Sequence, residues 1–130
     1  MPTIPIPDEI ETVARQILDG AFAVHRALGP GLLESVYETC LGHELVKRGV
    51  RFHQQVAVPI HYGDLKINSG LHLDILVEDA VIVELKAIEK IIPLHQAQLL
   101  TYLKLTGMRL GLLINFNVPK LKDGIKRVVL

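Results

Sequence analysis

The chain has one cysteine, no net charge and no long hydrophobic run. A single cysteine, Cys40, excludes an internal disulfide and suits a reducing, cytoplasmic setting. It has no histidine partner at motif spacing, so it reads as a small packed hydrophobe. Fourteen basic side chains against fourteen acidic ones exclude a global attraction to nucleic acid. No stretch approaches the roughly 18 consecutive apolar residues of a membrane span, so no membrane association is expected. The opening residues, MPTIPIPDE, lack the basic start and apolar core of a signal peptide. Internal repeats and low-complexity tracts are missing as well.

What remains is an ordinary globular composition, 49% hydrophobic and 22% charged, over 130 residues. That length fits one domain, 1–130, with residues 1–7 as an extended, proline-rich lead. Charge is unevenly spread. Residues 101–130 carry Lys104, Arg109, Lys120, Lys122, Lys126 and Arg127 against Asp123 alone. Such a face either contacts a phosphate backbone or is simply a solvated surface.

Apolar spacing predicts a helix over 8–28, with Ile10, Val13, Ala14, Ile17, Ala21, Val24 and Leu28 inward and GPG at 29–31 as its stop. A second helix follows at about 32–48, with Leu33, Val36, Tyr37, Cys40, Leu41, Leu45 and Val46 inward and Gly49 beyond its end. RFHQQVAVPIHY reads as a strand whose Pro59 demands an edge or a bulge. GDLKIN is a turn that leads towards a short strand. Residues 71–77 and 81–88 form a hairpin, Pro93 opens a third helix to about 106, and RLGLLINFN and IKRVVL are further strands, the first central. The order ααβββαββ predicts an α/β fold, a mixed β-sheet flanked by helices, with a parallel crossover through the third helix.

The hairpin raises a physical problem. Strand side chains alternate faces, so Ile82, Glu84 and Lys86 share one face, opposite Val81, Val83 and Leu85. A three-residue turn at Glu78–Ala80 would pair Val77 with Val81. It would gather the apolar residues on one side, and it would set Asp74 beside Glu84 and His72 beside Lys86. Opposed like charges destabilise a strand pair. Three explanations follow: the face is open to water, Lys86 neutralises the pair, or a divalent cation sits between the carboxylates.

The spacing Asp74, then Glu84-Leu85-Lys86, resembles the D-(x)n-(D/E)-x-K signature of the PD-(D/E)XK nuclease superfamily. GLLESVY at 31–37 matches the motif of the GxxExxY family within it, and QLLTY at 98–102 is similar to the Q-x-x-x-Y motif of RecB-like nucleases. The resemblance spans roughly residues 8–130, with Leu73 standing where the superfamily's name has proline. It implies a restriction-endonuclease-like core and a nuclease that hydrolyses DNA with Mg²⁺, or Mn²⁺ as substitute. Asp74, Glu84 and the backbone carbonyl of Leu85 would hold the metal. Glu34 would approach it directly or through water, while Lys86 would orient the attacking water. Gln98 would contact Lys86 or a phosphate. Tyr37, Tyr102 and His25 are possible accessories, and His72 and His95 possible rim residues. Glu34 also reads as a helix-start carboxylate, Tyr37 as a core side chain and Gln98 as a surface one. A nuclease fold kept as a binding module, for nucleic acid or a protein partner, is the alternative function. A homodimer is compatible with either.

Overall fold

The computed structural model describes residues 4–130, so the start of the predicted extended lead, residues 1–3, lies outside the described residues. Helix α1 spans Asp8–Leu28 and begins directly after Pro7. Asp8, Glu9 and Glu11 sit in its first turn and Arg26 in its last, each complementing the helix dipole. Its buried stripe is Ala14, Ile17, Gly20, Ala21 and Val24. Helix α2, Glu34–Lys47, buries Tyr37, Leu41, Gly42 and Leu45. The two helices approach closely at Gly20, where an added Cβ would lie 3.2 Å from Leu41 and 3.3 Å from Glu44.

The inward set predicted for these helices is too wide. Leu28, Leu33, Val36 and Val46 are exposed, Leu33 at 74% and Val46 at 65%. On α2 the residues that meet the core follow one i, i+4, i+8 row, Tyr37, Leu41 and Leu45. Val36 and Val46 fall outside it, and Leu33, which would extend it by one turn, is the extended residue before the helix begins.

Seven strands follow: β1 Phe52–Ala57, β2 Ile60–Tyr62, β3 Leu65–Ile67, β4 His72–Val77, β5 Val81–Lys86, β6 Leu110–Asn115 and β7 Ile125–Val129. Helix α3, Pro93–Thr106, separates β5 from β6, and a 3₁₀ turn at Leu121–Gly124 precedes β7. The single strand expected at 51–62 is two. Pro59 lacks the N–H a ladder requires, so the chain leaves the sheet there and β2 pairs with β3 in a separate hairpin. Five strands therefore precede α3, where three were expected.

The main sheet has the order β1-β4-β5-β6-β7. All neighbours are antiparallel except β5 and β6, which run parallel across α3 as expected. β6 is interior and wholly buried, although the middle strand is β5. The mixed sheet flanked by helices is the predicted class. Helices α1 and α2 cover one face, closing a core of Ile75, Val77, Val81, Val83, Leu85, Leu112 and Ile114. Helix α3 covers the other, where Ile82 and Leu113 meet Leu99, Tyr102 and Leu103. An added Cβ at Gly111 would sit 2.8 Å from Leu99, so α3 lies directly on β6.

The turn between β4 and β5 has the predicted three residues. Val77 pairs with Val81, Glu78 and Asp79 adopt left-handed φ of 53° and 50°, and the Ala80 N–H donates to the Val77 carbonyl at 2.9 Å. The turn is latched to the chain before β1. The Arg51 N–H donates to Glu78 Oε1 at 2.7 Å, and the Glu78 N–H returns to the Arg51 carbonyl. The expectation that this register places all the hairpin's apolar residues on one side fails. Ile82 is fully buried against α3, and Leu73 and Leu76 pack in that second core as well.

Candidate active site

The β4–β5 ladder runs Val77↔Val81, Leu76↔Ile82, Ile75↔Val83 and then stops. One step further stand Asp74 and Glu84, whose side chains replace the missing backbone partners. The Asp74 N–H donates to Glu84 Oε1 at 3.1 Å, and the Leu85 N–H donates to Asp74 Oδ2 at 2.8 Å. β5 itself stays paired to β6 through Glu84↔Leu113 and Lys86↔Asn115. The two carboxylates thus sit at the C-terminal end of a parallel strand pair, a common place for ligands in open α/β sheets.

Electrostatics at this end are unusual. Glu84 is only 9% exposed. Burial, then the charge of Asp74, pushes its carboxyl up to about 8, against the weaker pull of the Asp74 N–H and the Lys86 ammonium. Glu34, in the first turn of α2, is also raised, first by burial and then by Asp74, while Lys86 draws it down. Tyr102 approaches from α3. Burial raises its phenol, and the charges of Glu84 and Asp74 add to that. Lys86 is half-buried and forms no close ion pair among the described residues. Asp74, Glu84, Lys86, Glu34 and Tyr102 therefore act on one another electrostatically. Gln98 lies one turn before Tyr102, exposed and without a hydrogen bond among the described residues, so the expected bond to Lys86 is not formed.

Other candidates are engaged elsewhere. Tyr37 is fully buried. Its hydroxyl donates to the Gly29 carbonyl at 2.7 Å and accepts the Leu32 N–H at 3.1 Å, while its ring stacks on Phe116 at 4.5 Å. It clasps the loop that launches α2, where Gly31 takes a φ of 99°. The motif's tyrosine thus serves to place its glutamate, Glu34, and is not itself at the carboxylates. His25 bonds through Nε2 to the Val118 carbonyl at 2.8 Å. His95 accepts the Ile92 N–H at 3.0 Å and caps α3. His72 is exposed, its Nδ1 2.7 Å from the Gly70 carbonyl. The basic face is thinner than its residue count. Arg109 donates to the carbonyls of Leu130 and Ile4, and Arg127 pairs with Glu11 at 2.7 Å. Lys104, Lys120, Lys122 and Lys126 remain exposed.

Three site residues escaped the sequence reading. Glu38 lies one turn after Glu34, a spacing that could have revealed it. Its carboxyl is raised by burial and by Asp74, with a hydrogen bond from Gln55 acting against them. Gln55, on β1, supplies that bond at 2.8 Å. Asn115, a buried amide closing an apolar strand, accepts the Ile88 N–H and donates to the Ile88 carbonyl. It thereby pins the segment that follows Lys86.

Compared with known families, residues 11–128 match the PD-(D/E)XK nuclease superfamily. The chain belongs to the PD-(D/E)XK nuclease superfamily. No curated protein and no solved structure gives a match. Membership points to a nuclease-like function, and nucleases of this superfamily usually use divalent metals. Among the described residues no group of three or more His, Cys, Asp or Glu side chains is placed to hold an ion by itself. Asp74 and Glu84 nevertheless offer an all-oxygen, hard donor set. Burial and the neighbouring Asp74 charge raise the Glu84 carboxyl to about 8, so a second negative charge is costly here without a compensating partner. Two carboxylates completed by water suit Mg²⁺ better than a closed protein cage does.

Proposed function

We propose that this protein is a Mg²⁺-dependent nuclease of the GxxExxY, RecB-like kind that hydrolyses phosphodiester bonds of DNA. One observation carries the reading: the β4–β5 ladder gives way to two interlocked carboxylates beside a lysine that has no close ion pair among the described residues. Asp74, Glu84 and the Leu85 carbonyl would hold the ion, with Glu34 reaching it directly or through water. When bound, the ion polarises the scissile phosphate and acidifies a water ligand. The chain's own groups do the rest. Lys86 Nζ donates to the attacking water or to the phosphate oxygen on which charge grows. Gln98, at the open rim, contacts a neighbouring phosphate. Lys104, Lys120, Lys122 and Lys126 give weak backbone contacts.

A second reading, a nuclease-fold module that binds nucleic acid or a protein partner, draws support from the zero net charge and from the diversion of Arg109 and Arg127 to internal partners. The deciding experiment is cleavage of single- and double-stranded DNA with Mg²⁺ or Mn²⁺, alongside Lys86→Ala and Asp74→Asn. Loss of at least about 100-fold in each variant is the expected result. No cleavage, or equal cleavage by the variants, refutes the catalytic assignment.

A further inference from the structure

The ladder between β1 and β4 is interrupted at one residue. Gln54 pairs with Ile75 and Val56 with Leu73, but Gln55 is skipped. Gln55 has a left-handed φ of 51°, which non-glycine residues seldom adopt without compensation and which often marks a functional position. Glu78 and Asp79, the other described non-glycine residues in that region, occupy a turn that calls for it. Gln55 lies within a strand.

The distortion sends its amide to a defined place. Nε2 donates to Glu38 Oε1 at 2.8 Å and reaches Asp74 Oδ1 at 3.4 Å. One neutral donor thus bridges a carboxylate on α2 and a carboxylate on β4. Asp74 is then gripped at both oxygens, Oδ2 by the Leu85 N–H and Oδ1 by Gln55. Gln54 adds a longer contact, 3.4 Å, to the same Glu38 carboxylate.

We infer that Gln55 is a positioning residue: its strained backbone aims the side-chain amide between Glu38 and Asp74 and sets the direction in which Asp74 faces a bound divalent cation. This rests on the metal-dependent reading of the site. A purely structural glutamine would raise stability, whereas a positioning one trades stability for geometry. The two roles therefore differ in sign.

Gln55→Asn and Gln55→Gly separate them. Both residues accept a left-handed backbone. The shorter Asn amide does not span both carboxylates, and Gly has none. Each variant is expected to melt, without metal, at or above the wild-type temperature. Each is also expected to bind Mg²⁺, and Mn²⁺ in parallel, about 10- to 100-fold more weakly by calorimetry. On DNA the loss should fall in kcat and recover partly at high Mg²⁺, with KM for DNA unchanged. Wild-type metal affinity in both variants overturns the role of Gln55 alone. A melting temperature that falls together with affinity makes Gln55 a fold support and also overturns it. A wild-type protein that binds neither metal overturns the metal-dependent reading and this inference with it.

Discussion

Replacing Glu84 with glutamine tests the electrostatics of the site through stability alone, with no need of a cleavage assay. In the folded chain the carboxyl keeps its proton up to about pH 8, while its ordinary value is 4.5. Between those values the native state holds a proton that the unfolded state has released, so stability is complete below about pH 4.5 and is lost as pH rises towards 8. At about 1.4 kcal/mol per unit, the ceiling is roughly 5 kcal/mol. Water entering at the open strand end lowers that, and about 2–3 kcal/mol is the expected effect. The substituted amide keeps the side-chain oxygen that accepts the Asp74 N–H and never carries charge. The variant should match wild type near pH 4.5 and melt roughly 6–12 °C higher at pH 8 in metal-free buffer. Saturating Mg²⁺ should narrow the gap by stabilising wild type alone. Differential scanning calorimetry from pH 4.5 to 8.5 reads all of this. A gap independent of pH, or a variant less stable throughout, refutes the assignment of a buried, proton-holding Glu84.

Two further perturbations address the supports of the site. Tyr37→Phe keeps the stack on Phe116 but strips partners from Gly29 and Leu32, and should cost about 1–3 kcal/mol in urea unfolding with an unchanged slope. Asn115→Ala leaves the Ile88 N–H without its acceptor and its carbonyl with only the longer bond, 3.3 Å, from Asn117. It should destabilise by about 2–4 kcal/mol and accelerate exchange of the Ile88 amide, measured by hydrogen exchange and urea unfolding.

Much of the fold was legible because its boundaries are chemical. Pro7, Gly29, Pro93 and Gly107 mark helix ends that local conformation alone dictates. The hairpin register holds although its premise, a single apolar side, does not: Val77 pairs with Val81, and the places of Asp74 and Glu84 follow from that pairing. The covering of both sheet faces was not. Ile82 and Leu76 look like residues on a solvated face until α3 is packed over them, and that packing is long-range. Gln55 was hidden for a related reason: periodicity assumes regular backbone, and its backbone is irregular. His25 and Arg109 have chemistry-bearing side chains, but their partners are carbonyls of Val118, Leu130 and Ile4. Backbone groups are present at every position and leave no trace in composition.

The interlocked carboxylates also bear on how such a chain drifts over generations. Asp74 holds the Leu85 N–H, and Glu84 holds the Asp74 N–H. An alanine at either position orphans a backbone donor at the heart of the sheet, in addition to whatever it does to cleavage. Glutamine or asparagine spares that donor. A lineage released from the need to cut is therefore expected to neutralise these positions to amides before it empties them. The acid pair is thus harder to erase than to silence.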